Sequence, residues 1–363
     1  MGVDAEHGDM VSGAWPDQRF TALTGALHPI VQAPMAGAGG VGLCVGAIEG
    51  GALGSLPCGM LSADQVRAQT AEVRRRCRGP LNLNFFCHQM PAEADESAWR
   101  ALLAPYYVEF GVASGDSGAL RRPFDEEMCA AVEALRPEAV SFHFGLPPEP
   151  LLVRVKASGA VVIGNATTVA EARWLEERGA DAVIAQGFEA GGHSGRFLGS
   201  DAAEAMGLLA LVPQAVDAVQ VPVIAAGGIG DGRGIAAALA LGAAAVQLGT
   251  AYLHCPESSI SDAHREALLS KPTLITNLLT GGLARGVAGR LVRELGAIRE
   301  EAPPYPLASA ALAPIRAAAE ARGEYGFGPM WAGQAGPLGA PLPAAELTRR
   351  LAAGALAVLA RLS

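Results

Sequence analysis

Short apolar runs rich in Val, Ile and Ala recur along the chain, each closed by glycine or proline and most followed by a stretch of helical periodicity. Eight of them read as strands, at 28–35, 52–58, 81–86, 139–145, 161–167, 182–188, 221–229 and 244–253. Strands this apolar, alternating with helices, belong to a parallel sheet whose outer face is covered. Eight such units over roughly 230 residues suit a (β/α)8 TIM barrel, which takes ~250 residues. A doubly wound open sheet is the alternative. Helix starts are legible too. Ser62 with Gln65 forms a capping box, Thr168 with Glu171 forms a second, and Gly179 stops the helix that follows.

The alternation is uneven in two places. Residues 87–123, with Trp99, Tyr106, Tyr107 and Pro123, read as an elaborated loop with short helices between the third and fourth strands. After Pro256 the strand pattern gives way to a longer helical region and a Pro/Gly-rich stretch. The expected organisation is an N-terminal tail (1–20), a barrel (21–255), a smaller α-rich lobe over the C-terminal mouth (256–343) and a final packing helix (344–363).

Composition narrows the classes of function. Half of the 363 residues are hydrophobic, enough for a sizeable core, so general disorder is excluded. The net charge is −9, an acidic balance that argues against nucleic acid or an anionic membrane as partner. A long uncharged stretch, 234–256, carries Gln247, Thr250 and several glycines and divides into a helix and a strand rather than a membrane span. The acidic N-terminus lacks the pattern of a signal peptide, and the six cysteines show no C-x-x-C spacing. A cytoplasmic enzyme with reduced thiols is expected.

In a barrel the chemistry sits at the C-terminal ends of the strands. Gly227–Gly228 after the seventh strand and Gln247, Leu248, Gly249 and Thr250 at the eighth lie where this fold holds phosphate, because glycine lets backbone N–H groups approach closely. The segment 37–42 formally fits G-x-G-x-x-G, but the second strand ends without the acid that a dinucleotide ribose requires. His193, flanked by glycines after the sixth strand, is a candidate general base. His143 is a second candidate. Alternation puts it on one face with Ser141, and Phe142 and Phe144 on the other. Asn84 offers an amide to a heterocycle or phosphate. His88, His254 and His264 read as incidental, and neither metal-ligand spacing nor a G-x-S-x-G elbow occurs.

Taken together, QAPMAG at 32–37, NLNFF at 82–86, SFHFG at 141–145, QGFEAGGHSG at 186–195, PVIAAGGIGDGRG at 222–234, QLGTAYL at 247–253 and WAGQ at 331–334 resemble the nitronate monooxygenases, FMN-dependent TIM-barrel enzymes. The resemblance implies FMN across the barrel mouth. Its contacts would be Ala33, Pro34, Met35, Asn84, Gln186, Gly191, Gly192, Gly227, Gly228, Gln247, Leu248, Gly249 and Thr250. It also implies His193 as the base and His143 on the substrate side, holding a nitro or nitronate group. The implied reaction uses O2 to turn a nitronate into a carbonyl compound and nitrite. Flavin-dependent enoyl-thioester and quinone reductases share the AGGH and AAGGI patterns and are the alternative. A non-catalytic phosphate-binding barrel would leave His193 without a purpose.

Overall fold

The computed structural model describes residues 15–91, 95–115, 118–199 and 204–362, so most of the expected N-terminal tail lies outside the described residues. Eight strands form one parallel sheet: β1 (Ile30–Gln32), β2 (Gly54–Pro57), β3 (Leu81–Phe86), β4 (Ala139–His143), β5 (Val161–Ala166), β6 (Ala182–Gln186), then β8 (Val223–Ala226) and β9 (Ala245–Leu248). A short β7 (Gly192–His193) joins β10 (Thr273–Thr276) and β11 (Ala284–Val287) in a second, antiparallel sheet.

The order of the large sheet, β1-β9-β8-β6-β5-β4-β3-β2, leaves β1 and β2 at its two ends. They meet: Gln32 N–H donates to Leu53 O at 3.0 Å, and Leu53 N–H to Ile30 O at 2.9 Å. The sheet is therefore a closed barrel, and the open-sheet alternative falls.

Period-two alternation explains what fills it. Ile163, Ile184 and Ala245 are buried with Val31, Leu53 and Ile224 in one apolar cluster, where Phe20 from the helix Arg19–Thr24 also packs. Two residues further along the same faces stand Asn165, Gln186 and Gln247, and β3 and β4 add Asn84 and His143. The barrel is thus apolar at its base and polar toward its mouth.

Most strands end earlier than their apolar runs, and two of these ends shape the mouth. β4 stops at His143, and Phe144 takes φ 67°. This turns Phe144 toward the His143 and His193 rings, at 4.5 and 6.2 Å between ring centroids, while Phe142 stays in the outer core. The expectation that Phe142 and Phe144 share a face is thereby overturned, since alternation ends with the strand. β9 stops at Leu248 and the next turn is helical, Thr250–Leu253. A buried apolar run does not by itself declare its period.

The Ser62–Gln65 box closes as expected, with Gln65 N–H donating to Ser62 Oγ at 3.3 Å and Ser62 N–H to Gln65 Oε1 at 2.8 Å. The second box does not. Thr168 Oγ1 accepts from Glu171 N–H at 3.2 Å, but the Glu171 carboxylate turns elsewhere. Fully buried, it accepts from Thr167 N–H and Oγ1–H and from Phe197 and Leu198 N–H, at 2.6–3.0 Å. A buried carboxylate gathers all the donors it can reach. The last two tie down the loop that follows His193.

Among its described residues, the segment 87–123 contributes one 14-residue helix, Ser97–Phe110, in place of several short ones. Trp99 Nε1 donates to Ala308 O at 3.2 Å and the Tyr107 hydroxyl to Ala311 O at 2.7 Å, so it packs on the helix Ala308–Ala321. The region over the mouth is not purely helical, because β10 and β11 pair there. The helix Ala344–Leu362 returns against the helices Val41–Glu49 and Gly232–Ala240 on the outside of the barrel.

Candidate active site

The polar strand ends open into a cavity of about 420 Å³ between the barrel and the segment that covers it. His193 is not on a free loop. β7 pairs with β11, with His193 opposite Ala284, and Ser194 N–H donates to Leu283 O at 2.9 Å. The covering segment thus holds the histidine from one side and the barrel holds it from the other. Gln186 Nε2 donates to His193 O at 2.9 Å, while Gln186 Oε1 accepts from Asn165 Nδ2 at 3.0 Å and Gly195 N–H at 2.8 Å. The Gln186 amide keeps one N–H for a ligand.

The His193 ring stands among Tyr305, Trp331 and Phe144, with centroids at 5.2, 5.4 and 6.2 Å, and its Nε2 lies 2.8 Å from Thr280 Oγ1. Burial, helped by the positive charge of Arg121, holds its pKa well below 6.5. Burial likewise lowers His143 to about 4. Both imidazoles are neutral at neutral pH, so each can accept a proton or donate a hydrogen bond.

Arg121 supplies positive charge to the same cavity. Its guanidinium carbon is 5.9 Å from the Tyr305 ring centre, and Arg121 Nη1 and the Tyr305 hydroxyl are both buried without a hydrogen-bond partner. Such atoms are expensive to leave bare and suit an anion. Sequence reasoning did not single out Arg121, Tyr305 or Thr280. Arg121 lies in the insertion, and the other two lie beyond the barrel strands. His88 read as incidental, but its ring packs 4.9 Å from Tyr305 and Nε2 bonds Arg121 O at 3.2 Å. His264 Nε2 and His254 Nε2 pin the backbone of Trp331 and Gly336 at 3.0 and 2.9 Å.

The glycine-rich strand ends line the same cavity, together with Ala33, Pro34, Met35 and Asn84. Gly192, Gly227 and Gly228 have φ of 77°, 110° and 67°, which other residues adopt at a cost. At Gly191 a Cβ would run into the backbone of Ala332 and Gly333, so this glycine is needed for the approach of the WAGQ segment. Gly333 N–H in turn donates to Thr250 Oγ1 at 2.9 Å. Gln247 Oε1 points into this region buried and without a partner, which fits a bound group carrying a hydrogen-bond donor. Leu248 differs from the rest. Its side chain is in the outer core and its carbonyl accepts from Ala33 N–H at 2.9 Å, so it does not line the cavity.

A family model described as nitronate monooxygenase matches residues 18–354. The chain belongs to the nitronate monooxygenase family. Among curated relatives, the nitronate monooxygenase of Pseudomonas aeruginosa is 43% identical over 345 residues, covering 92% of this chain and 97% of that protein. The one from Paraburkholderia phytofirmans is 42% identical over 340 residues, 91% of this chain and 92% of that protein. Among solved structures, nitroalkane oxidase from Streptomyces ansochromogenes superimposes with a TM-score of 0.88 at 37% identity, covering 95% of this chain and all of the other. FabK from Thermotoga maritima is similar at a TM-score of 0.72 and 27% identity, covering 95% and 97%. This family's barrel is the frame in which the cavity is built. No helix among the described residues is long and apolar enough to cross a membrane.

Proposed function

We propose that this chain is an FMN-dependent enzyme that oxidises alkyl nitronates with O2 to a carbonyl compound and nitrite. One observation carries the reading: a glycine-lined cradle and a pocket bearing neutral imidazoles and a guanidinium share one barrel mouth. Gly191, Gly227, Gly228 and Gln247 would hold the cofactor, with Met35 against it. The flavin supplies the redox chemistry when bound.

The protein's own residues do the rest. Arg121 and the Tyr305 hydroxyl attract and hold the anionic substrate, and His143 shares that task. His193 handles the proton: a neutral nitroalkane must lose its α-hydrogen, and His193 is the group placed to take it. The aromatic wall of Phe144, Tyr305 and Trp331 keeps water from the reacting carbon.

The test is direct. The purified protein should carry noncovalent FMN and, with a nitronate, consume O2 and release nitrite, while NADH or NADPH reduces the bound flavin slowly or not at all. Release of FAD, or absence of any flavin after adding FMN, would overturn the cofactor assignment. Fast reduction by NAD(P)H without nitrite release would place the chain with the flavin-dependent reductases instead.

A further inference from the structure

A general base needs an unoccupied lone pair, and the two nitrogens of His193 are not equivalent. Nε2 lies 2.8 Å from Thr280 Oγ1, and the adjoining Cδ2 edge faces the turn at Gly282. Nδ1 has no protein partner among the described residues, and it is the nitrogen left to the cavity that His193 lines.

The direction of the Thr280 bond follows from accounting for its hydroxyl. Thr280 is buried, 2% exposed. Its oxygen accepts from Gly282 N–H at 3.4 Å, and among the described residues the hydroxyl hydrogen has no acceptor besides His193 Nε2. A hydroxyl carries one donor, and a buried donor without an acceptor is costly. The hydroxyl therefore donates to Nε2, and in a neutral imidazole the proton then resides on Nδ1. Burial keeps the ring neutral, so the tautomer is the property that matters.

We propose that Thr280 is a positioning residue that holds His193 as the Nδ1–H tautomer, which adapts the pocket to nitronates that arrive already ionised. The proposal rests on the nitronate reading above. With such a substrate, Nδ1–H donates to a nitronate oxygen and no proton changes hands. A neutral nitroalkane asks for more. Its α-C–H bond breaks, the electron pair passes onto the nitro group, and the proton must bond to Nδ1. That requires the other tautomer, with Nε2–H donating to Thr280 Oγ1 and the hydroxyl hydrogen left bare. The penalty for a bare buried donor corresponds to roughly a 5- to 150-fold preference for nitronate over nitroalkane.

Two measurements on the FMN-loaded protein test this. In ¹⁵N-histidine-labelled protein, with the His193 signals assigned by their loss in His193→Asn, the expected spectrum is that of an Nδ1–H imidazole. An Nε2–H spectrum would overturn the proposal, and this readout needs neither turnover nor a Thr280 variant. In steady state, Thr280→Val should lower the nitronate-to-nitroalkane ratio of kcat/KM at least fivefold, and Thr280→Ser should keep the wild-type ratio and tautomer. A Thr280→Val protein with both ratio and tautomer unchanged would also overturn it. If the wild type releases no nitrite from any nitronate, the functional reading fails, while the spectrum still decides the role of Thr280.

Discussion

Substitution of Gly195 by alanine should disable the site without replacing any group that meets substrate. An added Cβ would lie 2.7 Å from His143 Cε1 and closer still to Asn165 Nδ2. Gly195 does not have a positive φ, so the penalty is steric rather than conformational. To make room, Asn165 must leave Gln186 Oε1 and the His143 ring must give way as well, and Gln186 is the side chain that holds the His193 carbonyl. Overpacking costs about 1–3 kcal/mol and a lost hydrogen bond about 1 kcal/mol, so the destabilisation is about 2–4 kcal/mol. With an unfolding entropy of ~2.1 cal/mol/K per residue, the 363-residue chain should melt about 3–5 °C lower. A displacement of the imidazoles of about 1 Å should reduce kcat/KM on a nitronate by about 10²-fold. The assay is thermal melting and nitrite release by the FMN-loaded variant, with Gly199→Ala as control because a Cβ there meets only Arg196 Nε at 3.9 Å. A Gly195→Ala protein matching the control in both measurements would refute the packing argument.

Three further outcomes are expected. His193→Asn should cost about 10²–10⁴-fold on a neutral nitroalkane and much less on a preformed nitronate, measured as kcat/KM for each; equal losses would mean that His193 removes no proton. Arg121→Met should raise KM for a nitronate by about 10- to 100-fold, as for the loss of a charged hydrogen bond, with a smaller change for a neutral nitroalkane; equal effects would remove Arg121 from anion binding. Burial lowers His143 to about 4 and His193 well below 6.5, so below pH 6.5 the unfolded chain binds protons that the folded one refuses. Stability from these groups is complete above pH 6.5 and is lost as the pH falls toward about 4. Melting temperature against pH should show that slope, flattened in His143→Asn.

Much of the fold was written in local pattern. Eight apolar runs punctuated by glycine and proline identify the barrel strands, because a covered parallel sheet requires uninterrupted apolar segments. Alternation within β5, β6 and β9 likewise brings Asn165, Gln186 and Gln247 to the mouth. The Ser62–Gln65 box, a contact over three residues, also closes as read. His193 and His143 stand out by their glycine and aromatic surroundings in sequence, and the structure brings both to one cavity.

Whatever depends on distant partners was decided only by the tertiary structure. The Glu171 carboxylate, free in principle to cap its own helix, instead serves Phe197 and Leu198, because burial rewards the larger set of donors. Phe144 leaves the strand pattern where pairing ends, and its positive φ turns it toward the His143 and His193 rings. Arg121 comes from an insertion, Thr280 and Tyr305 from beyond the barrel strands, and no period in the sequence links them to His193. Thr280, in the turn just before β11, reaches His193 beside the antiparallel pairing of β7 with β11. Local periodicity reports which face a residue occupies. The partner across that face is chosen by chain closure over long loops, where side-chain pattern carries no register until the pieces have packed.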